Sequence, residues 1–144
     1  MAITRTGAWQ SELSAYLVAC AHRPFRYGLL DCGLFVADAV RTMTGVDVAA
    51  ELRGRYENRA QAFAAVRALC GAASMAAAAD YFAAEFGILE IPVTRAQRGD
   101  AVQLRTGRHA SLGIVAMHGT EILTPYAAGI LRLPLSHATR AWRI

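Results

Sequence analysis

The pattern of apolar residues changes at Gly87, and this change constrains the fold more than any other feature of the chain. Before Gly87, apolar residues recur at helical spacing in five segments: 9–22, 32–44, 47–52, 59–69 and 74–86. After it come short strand-like runs separated by turn residues: 88–93, 101–104, 112–117, 121–123, 129–133 and 141–144. We therefore predict one α+β domain over residues 1–144, with N-terminal helices packed on one face of a C-terminal antiparallel sheet.

The ends of these helices carry the expected capping residues. Asp31, Asp47, Asn58 and Ser74 are suited to accept the free N–H groups of a first turn. Glycine follows three of the predicted helices, at positions 45, 71 and 87. His118-Gly119-Thr120 lies where a tight hairpin turn is expected.

The segment from Tyr27 to Asp38 places a cysteine at a helix start. Because Asp31 caps the helix, Cys32 falls in its first turn, where free N–H groups and the helix dipole favour a thiolate. One face of this helix is apolar and is predicted to pack on the sheet; it holds Cys32, Phe35, Val36, Ala39 and Met43. The alternative is that Cys32 is a small buried hydrophobic residue that happens to lie near a cap.

Composition excludes several classes of protein. The net charge of +4 is modest and the basic residues are scattered, which does not favour a nucleic-acid partner. No apolar run approaches the roughly 20 residues of a membrane span, and residues 1–7 do not resemble a signal peptide, so we expect synthesis in the cytoplasm. The three cysteines form no C-x-x-C pair, and Cys20 and Cys70 are expected in the core, so neither a metal site nor another cofactor is predicted.

The order of motifs resembles that of the NlpC-type papain-like cell-wall cysteine peptidases. That family has an Asp-Cys pair at a helix start, then a Gly-Asp before the first strand, then His-Val-Gly-Ile on the next strand. Here the matching residues are Asp31-Cys32, Gly99-Asp100 and Ser111-Leu112-Gly113-Ile114. The resemblance runs from about Phe25 to the C-terminus and implies a papain-like fold.

The chain is more similar still to the small phage tail-tip and baseplate proteins of this fold. The shared motifs are Trp9-Gln10, Phe25-Arg26-Tyr27-Gly28 before Asp31-Cys32, Leu112-Gly113-Ile114, and Ala141-Trp142-Arg143. This resemblance implies a location at the tail tip or baseplate of a virion, with other tail hub proteins as partners and murein as a possible ligand.

The catalytic pattern of the family is not intact in this chain. Ser111 stands where the general base would align, and a hydroxyl cannot deprotonate a thiol near neutral pH as histidine does. The third catalytic position would fall near residues 122–124, which contain no His, Asn or Gln. His109 lies two residues before Ser111 and could replace the base if the strand starts early, although an exposed loop is the expected setting.

The other polar residues near the site have simpler interpretations. Tyr27 is expected to line a cleft and Asp38 to be a solvated helix position. The remaining histidines, at positions 22, 118 and 137, fall at a helix end, in a turn and in a late loop, and none has metal-ligand spacing.

Three hypotheses about function follow. The first is a structural tail-tip or baseplate component with a degenerate cysteine-peptidase fold, which the missing base favours. The second is an active murein peptidase that assists genome delivery, with Cys32 as nucleophile and His109, or a group from another chain, as base. The third is a cytoplasmic binding module without a viral connection.

Overall fold

A computed structural model describes residues 3–144 and contains four α-helices. They are α1 (Trp9–Cys20), α2 (Cys32–Thr44), α3 (Arg59–Cys70) and α4 (Met75–Phe86). Residues 1–7 were predicted not to form a signal peptide, and the first two of them lie outside the described residues. No single helix among residues 3–144 is long and apolar enough to cross a membrane, although the bent pair α3–α4 meets that test by length and composition.

The predicted helix caps are confirmed for α2, α3 and α4. Asp31, Asn58 and Ser74 each accept a backbone N–H from the residue three positions later, and a left-handed glycine ends each helix. The predicted short helix after Asp47 is wrong. The Asp47 carboxylate does accept the N–H of Ala49. Residues 48–54 nevertheless form successive turns, because the backbone hydrogen bonds between them do not continue beyond one helical turn.

The second half of the chain forms one six-stranded antiparallel sheet. Its strands are β1 (Glu90–Ile91), β2 (Ala101–Thr106), β3 (His109–Val115), β4 (Glu121–Tyr126), β5 (Gly129–Pro134) and β6 (Ala138–Trp142). Their order across the sheet is β1-β6-β2-β3-β4-β5, and every pair is antiparallel, as predicted. The last strand therefore lies inside the sheet, between β1 and β2.

Helix α2 is the centre of the core. Four of the five residues on the predicted apolar face are buried, with Phe35 and Met43 fully enclosed, whereas Cys32 is partly exposed. Leu34, Ala37 and Val40 are buried as well, so the helix is surrounded on more sides than its amphipathic pattern indicated. These α2 side chains pack against the sheet in one large hydrophobic cluster. Its members from the strands include Leu112, Ile114, Leu123 and Trp142. The predicted α+β arrangement of helices and antiparallel sheet is confirmed.

The opposite face of the sheet has a smaller apolar cluster of its own, formed by Val102, Leu104, Val115, Ile122 and Ala141. Short 3-10 turns at Val93–Arg95 and Leu135–His137 contribute residues that cover this cluster. Both faces of the sheet are therefore shielded from water, although the helices lie on only one of them.

A buried carboxylate joins the two ends of the described chain. Asp100 is fully enclosed and accepts the backbone N–H groups of Gln97 and Ile144. The guanidinium groups of Arg5 and Arg143 both lie 3.1 Å from its carboxylate oxygens. Burial nevertheless raises the pKa of Asp100 above its ordinary value. Asp100 therefore connects both ends of the described chain to the segment that precedes β2.

Candidate functional site

The loop before α2 is organised by Asp31. One oxygen of this buried carboxylate accepts the N–H of Leu34 at 2.8 Å and so caps the helix. The other accepts the N–H of Gly28 at 3.1 Å and the hydroxyl of Tyr56 at 2.6 Å. Three donors thus satisfy the buried charge. Asp31 therefore fixes the position of Cys32 from both sides of the helix start.

Gly28 is required by a close approach of two backbone segments. It has a φ of 84°, and a Cβ at this position would lie 2.3 Å from the carbonyl oxygen of Tyr56. Only glycine combines that backbone conformation with the absence of a side chain. The Tyr27-Gly28 motif therefore lets the segment around Tyr56 pack directly against the loop that precedes Cys32.

Cys32 is the first residue of α2, but its thiol is not activated. Burial, assisted by the negative charge of Asp31, raises the pKa of Cys32 to about 11. The backbone N–H groups of Leu112 and Gly33 act in the opposite direction without offsetting burial. Cys32 as a residue is partly exposed. Its sulfur, however, is enclosed by neighbouring atoms, and this local desolvation disfavours the thiolate. The helix dipole and the free N–H groups of the first turn favour a thiolate, but desolvation of the sulfur outweighs them.

Ser111 lies on β3, directly before the residue whose N–H faces the Cys32 thiol. Its hydroxyl oxygen is 2.6 Å from the hydroxyl oxygen of Thr106, on the paired strand β2. The Ser111 hydroxyl is therefore hydrogen-bonded to the neighbouring strand. Ser111 supplies neither a base nor a cation for Cys32.

His109 is the first residue of β3, so the strand does begin early enough to include it. Its side chain is exposed, and its Nε2 lies 3.3 Å from a guanidinium nitrogen of Arg59. Because a guanidinium has only N–H groups to donate, Nε2 is the acceptor in this contact. His109 and Arg59 therefore form a polar pair at the start of α3.

The other positions that the family pattern would use hold no acid–base group. Thr124, on β4, is buried and its hydroxyl donates to the carbonyl of Leu112 at 2.9 Å. His22, His118 and His137 are all exposed, and His118 pairs with Glu121 at 2.9 Å. Within residues 3–144 no group of three His, Cys, Asp or Glu side chains is arranged to hold a metal ion.

Three other sequence predictions have mixed outcomes. Cys20 is fully buried, as predicted, whereas Cys70 is only half-buried because it is the last residue of α3. Asp38 is not simply solvated: its carboxylate and that of Asp47 both pair with the guanidinium of Arg53. This half-buried ion pair connects α2 to the turns that follow it.

A cavity of about 660 Å³ lies beside Cys32. Its polar lining residues belong to the starts of α2 and α3 and to the end of the β2–β3 hairpin; they include Cys32, Arg59, Thr106, His109 and Ser111. Tyr27 lines it as well, as predicted. The later turns of α2 and α3, and most of α4, contribute apolar side chains. The structure thus brings Cys32, Ser111 and His109 onto the wall of one largely apolar cavity.

Tyr56 and Arg59 are two residues of this site that no sequence pattern indicated. Tyr56 lies 25 positions from Asp31, in a stretch without periodic structure, so no local pattern indicates its hydrogen bond. Arg59 follows the Asn58 cap, and nothing in the sequence shows that α3 begins beside the β2–β3 hairpin. Both contacts depend on tertiary structure.

Comparison with known families gives one result. Residues 4–144 match a family described as "Domain of unknown function (DUF6950)". No curated protein matches the chain.

Proposed function

The chain belongs to the DUF6950 family, and we propose that it is a structural component of a phage or phage-like tail tip or baseplate. In this proposal the chain has an NlpC-type papain-like fold with a degenerate cysteine site. It is held in the virion by contacts with other hub proteins, and its role does not need the chemistry of Cys32.

The observation that carries the proposal is the state of the Cys32 thiol. Its pKa is raised to about 11, and the strand position beside it holds Ser111, whose hydroxyl is paired with Thr106. General acid–base catalysis contributes about 10²–10⁴-fold to enzymatic rates. A site without a thiolate and without an adjacent imidazole loses this rate enhancement.

The lining of the cavity supports the same conclusion. Murein consists of sugars and short peptides with many polar groups, and its recognition requires donors and acceptors along a cleft. Around Cys32 the wall is instead mostly apolar, with side chains such as Val36, Phe63, Val66 and Phe82. Burying polar groups against such a wall without hydrogen bonds is unfavourable.

The test compares particles that carry Cys32→Ser with particles that carry Cys70→Ser, the same change at a half-buried cysteine outside the cavity. We expect the chain in purified tails, and we expect both variants to assemble and infect like the parent. Absence of the chain from tails would refute the assignment. Failure of the Cys32→Ser particles alone, after normal assembly, would refute the claim that Cys32 chemistry is dispensable.

One observation favours an active murein peptidase as the second candidate. Cys32 and His109 line the same cavity, and backbone N–H groups face the sulfur. Activity would require the imidazole to leave Arg59 and approach the thiol. This candidate predicts that the purified protein cleaves murein peptides and that Cys32→Ser and His109→Gln each abolish cleavage, whereas our proposal predicts no cleavage by the parent protein.

A further inference from the structure

The cavity beside Cys32 is large for a domain of this size. It is a partly open cleft that measures about 660 Å³. That volume falls within the range of about 300–1,000 Å³ that is typical of small-molecule sites.

The alanine-rich helix α4 creates much of this space. Ala78, Ala79 and Ala83 all line the cavity, together with Met75 and Phe82. Only Ala78 is buried among the residues of α4. The short side chains leave room between this helix and α2, where larger apolar residues would have filled it.

The polar end of the cavity has an available cation. Arg59 and His109 touch each other there, and no carboxylate of residues 3–144 lies within ion-pair distance of Arg59. The one acid on the wall, Asp31, is buried and already accepts three hydrogen bonds. A carboxylate placed at the mouth would therefore meet a guanidinium that has no acidic partner.

We propose that this cavity binds an aliphatic carboxylate, with its chain between α2, α3 and α4 and its carboxylate at Arg59 and His109. Apolar walls recognise the chain, and the cationic mouth selects an anionic head group. This site is independent of the tail assignment, since it uses neither hub contacts nor the Cys32 thiol as a reactant.

The first test uses the unmodified protein and measures the binding of octanoate, decanoate and decyltrimethylammonium by calorimetry. Each buried methylene group contributes about 0.8 kcal/mol, which is roughly fourfold in affinity. Decanoate should therefore bind about fifteenfold more tightly than octanoate. The cationic analogue, with the same chain length, should bind far more weakly. Equal affinity for the two carboxylates, or for the two head groups, would overturn the proposal.

The second test uses two matched pairs of variants. Ala83→Leu enlarges a side chain on the cavity wall, whereas Ala84→Leu enlarges its exposed neighbour. If the leucine displaces two methylene groups, decanoate affinity falls about fifteenfold, and Ala84→Leu should leave it unchanged. Arg59→Gln should weaken decanoate binding roughly tenfold, and the exposed Arg67→Gln on the same helix should not.

Thermal melting of each variant shows whether it is folded. Equal effects of Ala83→Leu and Ala84→Leu, or of the two arginine changes, would overturn the proposed position of the ligand. Because the chain-length and head-group comparison needs no variant, the proposal stays testable even if Ala83→Leu fails to fold. If the protein binds no aliphatic carboxylate, the Cys32→Ser particles can still assemble and infect normally. Failure of the ligand proposal is therefore distinguishable from failure of the proposed function.

Discussion

Alkylation of Cys32 should follow the titration of a thiol with a pKa of about 11. Iodoacetamide reacts with the thiolate, so the rate is proportional to the thiolate fraction. The ordinary pKa of a cysteine thiol is 9.0, so at pH 7 the Cys32 thiolate amounts to roughly one hundredth of what an ordinary thiol would give. The rate should rise about tenfold per pH unit from pH 7, reach half of its maximum near pH 11 and level off only above that pH.

The assay follows the Cys32 peptide by mass spectrometry after timed labelling between pH 6 and pH 12. The same peptide in the urea-unfolded chain is the reference, because its thiol is solvated. Slow access to a buried sulfur lowers the rate at every pH but does not move the midpoint of the curve. The midpoint therefore tests the electrostatic argument separately from accessibility.

A midpoint below that of the unfolded chain would refute the reasoning. Activated cysteines have pKa values of about 3.5–7.5, and such a value would mean that a cation or an imidazole stabilises the thiolate. In that event, repeating the titration with His109→Gln would show whether this histidine is the group. A return of the midpoint to the ordinary value would then favour the peptidase candidate.

Three further changes test the packing. Phe35→Ala should lower the free energy of unfolding by about 3–5 kcal/mol, because Phe35 is fully buried; a loss below 1 kcal/mol in urea titration would contradict its place in the core. Gly113→Ala should lower the free energy of unfolding by about 1–3 kcal/mol, since the new Cβ would lie 2.7 Å from the side chain of Ile122. The control is Gly7→Ala, whose Cβ meets no atom within 4 Å. Equal melting temperatures of the two variants would refute this prediction. Tyr56→Phe should cost about 1–3 kcal/mol, because Asp31 loses a donor, and an unchanged unfolding midpoint would show that water replaces it.

Helices α2, α3 and α4 could be predicted closely because their signals are local. Each of Asp31, Asn58 and Ser74 caps a helix within its own four-residue window, and the glycine that ends each helix is equally local. Strand positions were also predictable, but β3 begins at His109 rather than near Leu112. The polar start of that strand carries no apolar alternation, and only pairing with β2 extends it.

The site was less predictable because its chemistry depends on burial. The position of Cys32 in a first turn was evident from the sequence, but the sign of its pKa shift was not. Desolvation reflects every side chain that packs around the sulfur, including those from β3, and no local pattern contains that information. The Tyr56 and Arg59 contacts have the same origin, since each joins segments that are distant in sequence.

The position of β6 between β1 and β2 has a consequence for synthesis. The ribosome delivers the chain from its N-terminus, so β1 and β2 emerge before the strand that separates them. Until Trp142 has left the exit tunnel, both strands present unpaired edges, which are prone to join other chains. The sheet is therefore completed only when β6 becomes available to pair, and the same step brings Ile144 to Asp100. A chaperone that shields open strand edges should increase the soluble yield of this protein.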